Sequence, residues 1–164
     1  RQTLNSFATC LTGEFCKSLM TTRIERAHLS DADEQKLLRL IRTVDFIREQ
    51  KVPESMECDD LDRISIHYLA WHDDEPIGCV RLIPDGHIGR MAVLPQWRNQ
   101  GIGKQLLMAC EQEARRRKVD KLLLSAQVHA IPFYEEAGYG LISDTYMDAD
   151  IPHRDMQKIL SESE

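Results

Sequence analysis

The sequence predicts a mixed fold, α/β of the α+β type. Its central sheet has an antiparallel N-terminal meander and a parallel pair of strands, flanked by helices. Three observations predict it. Segments 63–71, 77–83 and 87–94 alternate polar and apolar residues and are joined by turns short enough only for antiparallel neighbours. A glycine-bearing loop at 98–103 then opens a helical stretch that runs to a further apolar segment, 121–126. A right-handed crossover of that kind sets 121–126 parallel to 87–94. Finally, 164 residues, 42% hydrophobic and 29% charged, suit one domain with one core.

Taken in order, Thr22 to Leu29 places Ile24, Ala27 and Leu29 in a strand-like alternation. Ser30 and Asp33 form a variant capping box. Leu37, Leu40, Ile41, Val44 and Ile47 then recur at helical spacing, predicting a helix from about Asp31 to Gln50 that Lys51-Val52-Pro53 ends. Residues 54–62 are acidic and irregular. Ile64, Ile66 and Tyr68 mark the next strand, and turns at 72–76 and 84–86 separate the two after it. Between Gly101 and Lys118, Ile102, Leu106, Ala109 and Cys110 share one helical face, and a basic last turn suits the helix dipole. Residues 130–137 read as a short helix ended by Gly138. Tyr139 to Met147 and a stretch near 153–160 read as two final strands.

Composition narrows the function. The net charge of −6 argues against a protein that grips nucleic acid through its phosphates. No apolar run approaches the ~18 residues of a membrane-spanning helix. Five cysteines at wide spacings form no CxxC pair, and the six histidines show no zinc spacing, so no metal site is indicated and reduced thiols in a cytoplasmic protein are expected. The acidic run 57–62 lacks the glycine and spacing of a calcium loop. The chain begins at Arg1, and Met20 precedes the first strand. The reading is therefore an N-terminal extension over 1–19, native or not, and a single domain over 20–164.

The sharpest local signal is Arg98-Asn99-Gln100-Gly101-Ile102-Gly103-Lys104, which follows a strand and starts a helix. Backbone N–H groups gathered at the positive end of a helix bind phosphate or pyrophosphate. A Walker loop would need glycine where Arg98 stands and Ser or Thr where Gln105 stands. A dinucleotide fingerprint would need glycine at Leu106, and the antiparallel meander contradicts a doubly wound sheet. Arg98-x-x-Gly101-x-Gly103 instead matches R/Q-x-x-G-x-G/A, the pyrophosphate loop of the GNAT N-acetyltransferase superfamily. The strand Ile88 to Pro95 resembles that family's fourth strand, and Phe133-Tyr134-Glu135-Glu136-Ala137-Gly138-Tyr139 resembles its FYE-x-x-G-F/Y signature. Glu49-Gln50-Lys51-Val52-Pro53, Ala126-Gln127 and His129-Ala130 are similar to segments of a subgroup of small bacterial members, and the resemblance spans roughly 22–160.

That resemblance implies an acetyl-CoA-dependent N-acetyltransferase without a metal. Backbone groups of Met91, Ala92 and Val93 would pair with the pantetheine arm. The N–H groups of Arg98, Asn99, Gln100, Gly101, Ile102, Gly103 and Lys104 would hold the pyrophosphate, with charge from Arg98 and Lys104. Tyr134 matches the family's general acid, and His129 stands where it would contact CoA or cap the short helix. Glu49, His67 and His129 all stay open as the base or an acceptor contact. The implied acceptor is a primary amine of a small molecule or peptide, and a homodimer is consistent with the family. The rival reading is a non-catalytic acyl-CoA-binding or regulatory module on the same fold.

Overall fold

The structure is a computed structural model and describes residues 22–45, 51 and 60–160. The expected extension over 1–19 lies outside the described residues, as does Glu49. The described elements are β1 (Thr22–Ala27), α1 (Ala32–Arg42), β2 (Ile66–His72), β3 (Glu75–Leu82), β4 (His87–Val93), α2 (Ile102–Arg116), β5 (Lys121–Gln127), α3 (Ile131–Glu136), β6 (Gly140–Leu141), β7 (Tyr146–Asp148) and β8 (Ile151–Ile159).

One sheet orders these strands β1-β2-β3-β4-β5-β8-β6, with β7 also paired to β8. The meander β1 to β4 is antiparallel and β4–β5 is parallel, as the turn lengths and the crossover predict. The alternation of side chains gives the sheet two covered faces. Ile66, Val80, Leu82, Leu122, Leu124 and Met156 pack on one face with Leu106, Leu107 and Cys110 of α2. Leu69, Cys79 and Ala92 pack on the other with Leu38 and Ile41 of α1.

Four local expectations change. Asp31, not Ser30, caps α1: its carboxylate accepts from the N–H groups of Asp33 at 2.9 Å and Glu34 at 3.1 Å. The buried stripe of α1 is Leu38, Ile41 and Arg42, whereas Leu40 is 55% exposed, because the helix meets the sheet one position out of phase with the apolar count. Beyond Arg42 a wider turn occupies 43–45, and the rest of the expected helix lies outside the described residues. The strand expected from Arg63 starts at Ile66, because Asp60–Arg63 forms a 3-10 turn. The single strand expected over 139–147 is two, β6 and β7. Between them Ser143 bonds to β8 instead of extending the chain: its hydroxyl accepts from Asp155 N–H at 2.8 Å, and its carbonyl accepts from the Arg154 guanidinium.

The feature that positions the site is a break in the sheet. β4 and β5 pair only at His87 with Leu123 and Ile88 with Leu124. Just beyond, Cys79 stands opposite Ala92 and Arg81 opposite Gly89, so Arg90 and Met91 face Val80 alone. This bulge, with Arg90 at φ 50°, bends β4 away from β5. β5 instead keeps its whole length paired with β8. The sheet therefore splits where two parallel strands point the same way.

A candidate active site in the split of the sheet

The split opens a cleft of about 1030 Å³. Its walls are β4, β5, the start of α2, the turn before α3, and α3 itself.

One end is the glycine loop. Gly101 is the N-cap of α2, at φ 81°, and offers no side-chain cap to the helix. The first N–H groups of an α-helix have no partner within it, so those at the start of α2 face the cleft end as donors for an anion. The two glycines serve different needs. Gly101 holds a left-handed backbone, and a Cβ there would meet nothing within 4 Å, leaving the approach open. At Gly103 a Cβ would stand 3.1 Å from the Phe133 ring, so the absent side chain lets α3 close on the loop. Asn99, Ile102 and the exposed Lys104 line the same end. The loop therefore fits a pyrophosphate by backbone donors, by open space and by one cation.

Arg98 takes a different part from the one its charge suggests. Its Nε donates to the Val93 carbonyl at 2.9 Å, and one Nη donates to Asp45 Oδ1 at 2.9 Å. It thus ties the loop to the end of β4 and to the turn after α1. The Val93 carbonyl is already engaged, while Met91 and Val93 line the cleft and Ala92 is buried beside them. Asp45 is buried, lines the cleft, and was hidden from sequence reading inside an apolar helical stripe.

Tyr134 lines the cleft from α3. Its ring is held edge-on between Phe133, 5.0 Å away, and Tyr139, 6.1 Å away. Burial pushes its phenol well above the ordinary value, and the Asp45 carboxylate and Cys110 add to the rise. The phenol is therefore neutral at ordinary pH. His129 lines the cleft from the turn Val128–Ala130 and is exposed.

His67 lies elsewhere. It is 1% exposed on the α1 face of β2 and does not line the cleft. Its Nε2 meets the Asp62 carbonyl at 2.8 Å, and its Nδ1 lies 3.3 Å from an Arg42 nitrogen. A carbonyl only accepts and a guanidinium only donates, so Nε2 carries the hydrogen and Nδ1 the lone pair. Both nitrogens are used. Burial holds the imidazole below its usual range despite the Asp62 carbonyl. Around it Asp62 accepts from Arg42 at 2.9 Å and Arg81 at 3.1 Å. This buried ionic cluster braces α1 against β2 and β3.

Sequence reading also missed His153 and Ser125 in the cleft wall. Alternation could have found them. Leu122, Leu124 and Ala126 of β5 face the core beneath α2, so Ser125 and Gln127 face the other way. Among the described residues, no group of three or more His, Cys, Asp or Glu could hold a metal ion, and no helix is long and apolar enough to cross a membrane.

A mixed sheet split between parallel strands, with a glycine loop at one end of the split, is the arrangement of the acyl-CoA N-acyltransferase fold. Residues 28–160 match the family described as the acetyltransferase (GNAT) domain, and the chain belongs to that family. It is 34% identical over 122 residues to YjcF, an uncharacterised N-acetyltransferase of Bacillus subtilis (strain 168), covering 72% of this chain and 87% of the relative. An acyl-CoA N-acyltransferase from Pseudomonas aeruginosa superposes with TM-score 0.74 at 32% identity, covering 84% of this chain and 99% of the other. Escherichia coli ElaA superposes with TM-score 0.76 at 25% identity, with coverage of 84% and 99%.

Proposed function

We propose that this protein transfers an acetyl group from acetyl-CoA directly to a primary amine of a small molecule or peptide. The observation that carries this reading is the convergence, in one cleft, of the uncapped start of α2 and the neutral phenol of Tyr134. The start of α2 and Lys104 suit the pyrophosphate of CoA. The pantetheine arm would run along Met91 to Val93, bringing the thioester into the split.

The chemistry needs three things there. The amine must lose a proton before it attacks the thioester carbon. Negative charge gathers on the carbonyl oxygen in the tetrahedral state and calls for an N–H donor. We assign that donor to the strand backbone near Val93. The leaving thiolate then needs a proton, which Tyr134 supplies. His129 borders the CoA path, and Arg98 acts by holding the loop. A cytoplasmic homodimer belongs to the same reading, and sedimentation tests its stoichiometry.

Calorimetric titration with acetyl-CoA, against ATP and NAD as controls, tests the site. Saturable binding of acetyl-CoA alone is expected, followed by thiol release when amines are added. Failure of a folded sample to bind acetyl-CoA would overturn the assignment of the loop. Binding without transfer to any amine would instead favour a non-catalytic acyl-CoA-binding module.

A further inference from the structure

We propose that His153 is the general base that takes the proton from the acceptor ammonium, an inference that rests on the amine-acetylation reading above. His153 lies on β8, is 9% exposed, and lines the cleft. Its Nδ1 stands 2.7 Å from the Ile151 carbonyl oxygen. A carbonyl can only accept, so Nδ1 carries the hydrogen and Nε2 the lone pair. Among the described residues, Nε2 has no hydrogen-bond partner. Tyr146 stacks on the ring, with centroids 6.1 Å apart and planes at 21°. Tyr146 is itself pinned, since its hydroxyl donates to Asp155 Oδ1 at 2.5 Å and accepts from Ser125. The imidazole is thus fixed in tautomer and orientation by groups that leave one basic nitrogen over.

The other candidates do not offer this. His67 spends both ring nitrogens on Asp62 and Arg42. Asp45 is held by Arg98. His129 sits exposed in a turn, with no hydrogen bond to fix its ring among the described residues. The charged or titratable groups near His153 include Arg154 and Asp155 on its own strand, Tyr146 and Asp148 on β7, and His129 in the turn before α3. β5 brings only the uncharged Ser125 and Gln127.

The protons balance. The acceptor ammonium gives one proton to Nε2, which passes it to water. The freed lone pair attacks the thioester carbon, a C–N bond forms, and the carbonyl π pair moves to oxygen. When that pair returns, the C–S bond breaks and the thiolate takes the Tyr134 proton. The second nitrogen proton restores the phenol through water, and one proton is released overall.

The test compares two small acceptors with acetyl-CoA at neutral pH: n-butylamine, which is protonated there, and methoxyamine, which is not. His153→Ala is expected to lower kcat/KM for n-butylamine by about 100-fold. Methoxyamine should stay within about threefold, and acetyl-CoA affinity should not change, because a base is needed only where a proton must be removed. His153→Asn, whose amide nitrogen stands where Nδ1 does and can still donate to Ile151, should show the same selective loss with wild-type melting behaviour. An equal fall for both amines, or no fall, overturns the assignment of His153. A wild-type protein that binds acetyl-CoA but acetylates neither amine overturns the amine-acetylation reading itself. Histidine nitrogen resonances of the wild-type protein give an independent reading: a neutral His153 with its hydrogen on Nε2 would also overturn the proposal.

Discussion

On the proposed reading, Tyr134 and the two loop glycines carry the residue-scale chemistry. Tyr134 lines the cleft with a phenol that burial pushes above its ordinary value, and in the proposed reaction it gives its proton to the leaving thiolate. Tyr134→Phe keeps the ring and its edge contacts with Phe133 and Tyr139. The expected result is a fall in kcat of about 100-fold with acetyl-CoA affinity within about threefold, read by thiol release and calorimetry. In the same reading the glycines act on binding instead. Gly103→Ala puts a Cβ 3.1 Å from the Phe133 ring, so the ring must give by a few tenths of an ångström where α3 meets the loop. Acetyl-CoA affinity is expected to fall about tenfold, equivalent to about 1.4 kcal/mol. Gly101→Ala meets no neighbour, but its positive φ costs an L-residue about 1 kcal/mol. That variant should lose stability in urea and also bind more weakly.

At the scale of elements, α1 and the bulged β4 decide where those residues stand. α1 is tied at both ends. Asp31 satisfies two N–H groups at its start, and beyond its end Asp45 receives Arg98 from the loop. Removing the cap by Asp31→Ala should cost about 1 kcal/mol in denaturant unfolding. Ser30→Ala should stay within about 0.5 kcal/mol, since Ser30 caps nothing in this fold. The bulge at Arg90 and Met91 bends β4 out of register with β5, and the α2 start closes the far end of the gap. The loop was legible in sequence because its glycines, its flanking strand and its following helix are contiguous. The bulge was signalled only by Gly89, a residue that marks a bulge or a close approach alike, and its place is fixed only once β3 is beside it.

For the whole molecule, the ionic cluster beneath α1 is the main polar investment of the core. Arg42, Asp62, Arg81 and His67 come from four separated stretches of chain. Burial by itself raises the Asp62 carboxyl, but the Arg42 and Arg81 guanidiniums outweigh it and hold the group below the usual carboxylate range. A folded-state value depressed below the unfolded one adds stability that is fully present above about pH 4. It is lost as pH falls through the folded value. Asp62→Asn leaves two buried guanidiniums without their carboxylate and is expected to cost about 3 kcal/mol at neutral pH. Unfolding curves at about pH 7 and about pH 3 should show the gap between variant and wild type narrowing in acid, because proton uptake by Asp62 in the unfolded wild-type chain then offsets its ion pairs.

By itself the sequence determined the class of fold, the order of the elements and the anion loop. Those properties rest on short-range signals: alternation with period two, helical spacing, turn residues, and a six-residue glycine pattern. Only the tertiary structure decided which polar residues share the cleft. His153, Ser125 and Asp45 meet there although they lie far apart in the chain, and His67, which alternates like a site residue, is buried instead in the brace under α1. The physical reason is that alternation places a side chain on a face of its strand. Which face meets a helix, and which meets the split, depends on strand order and on one bulge between partners distant in sequence.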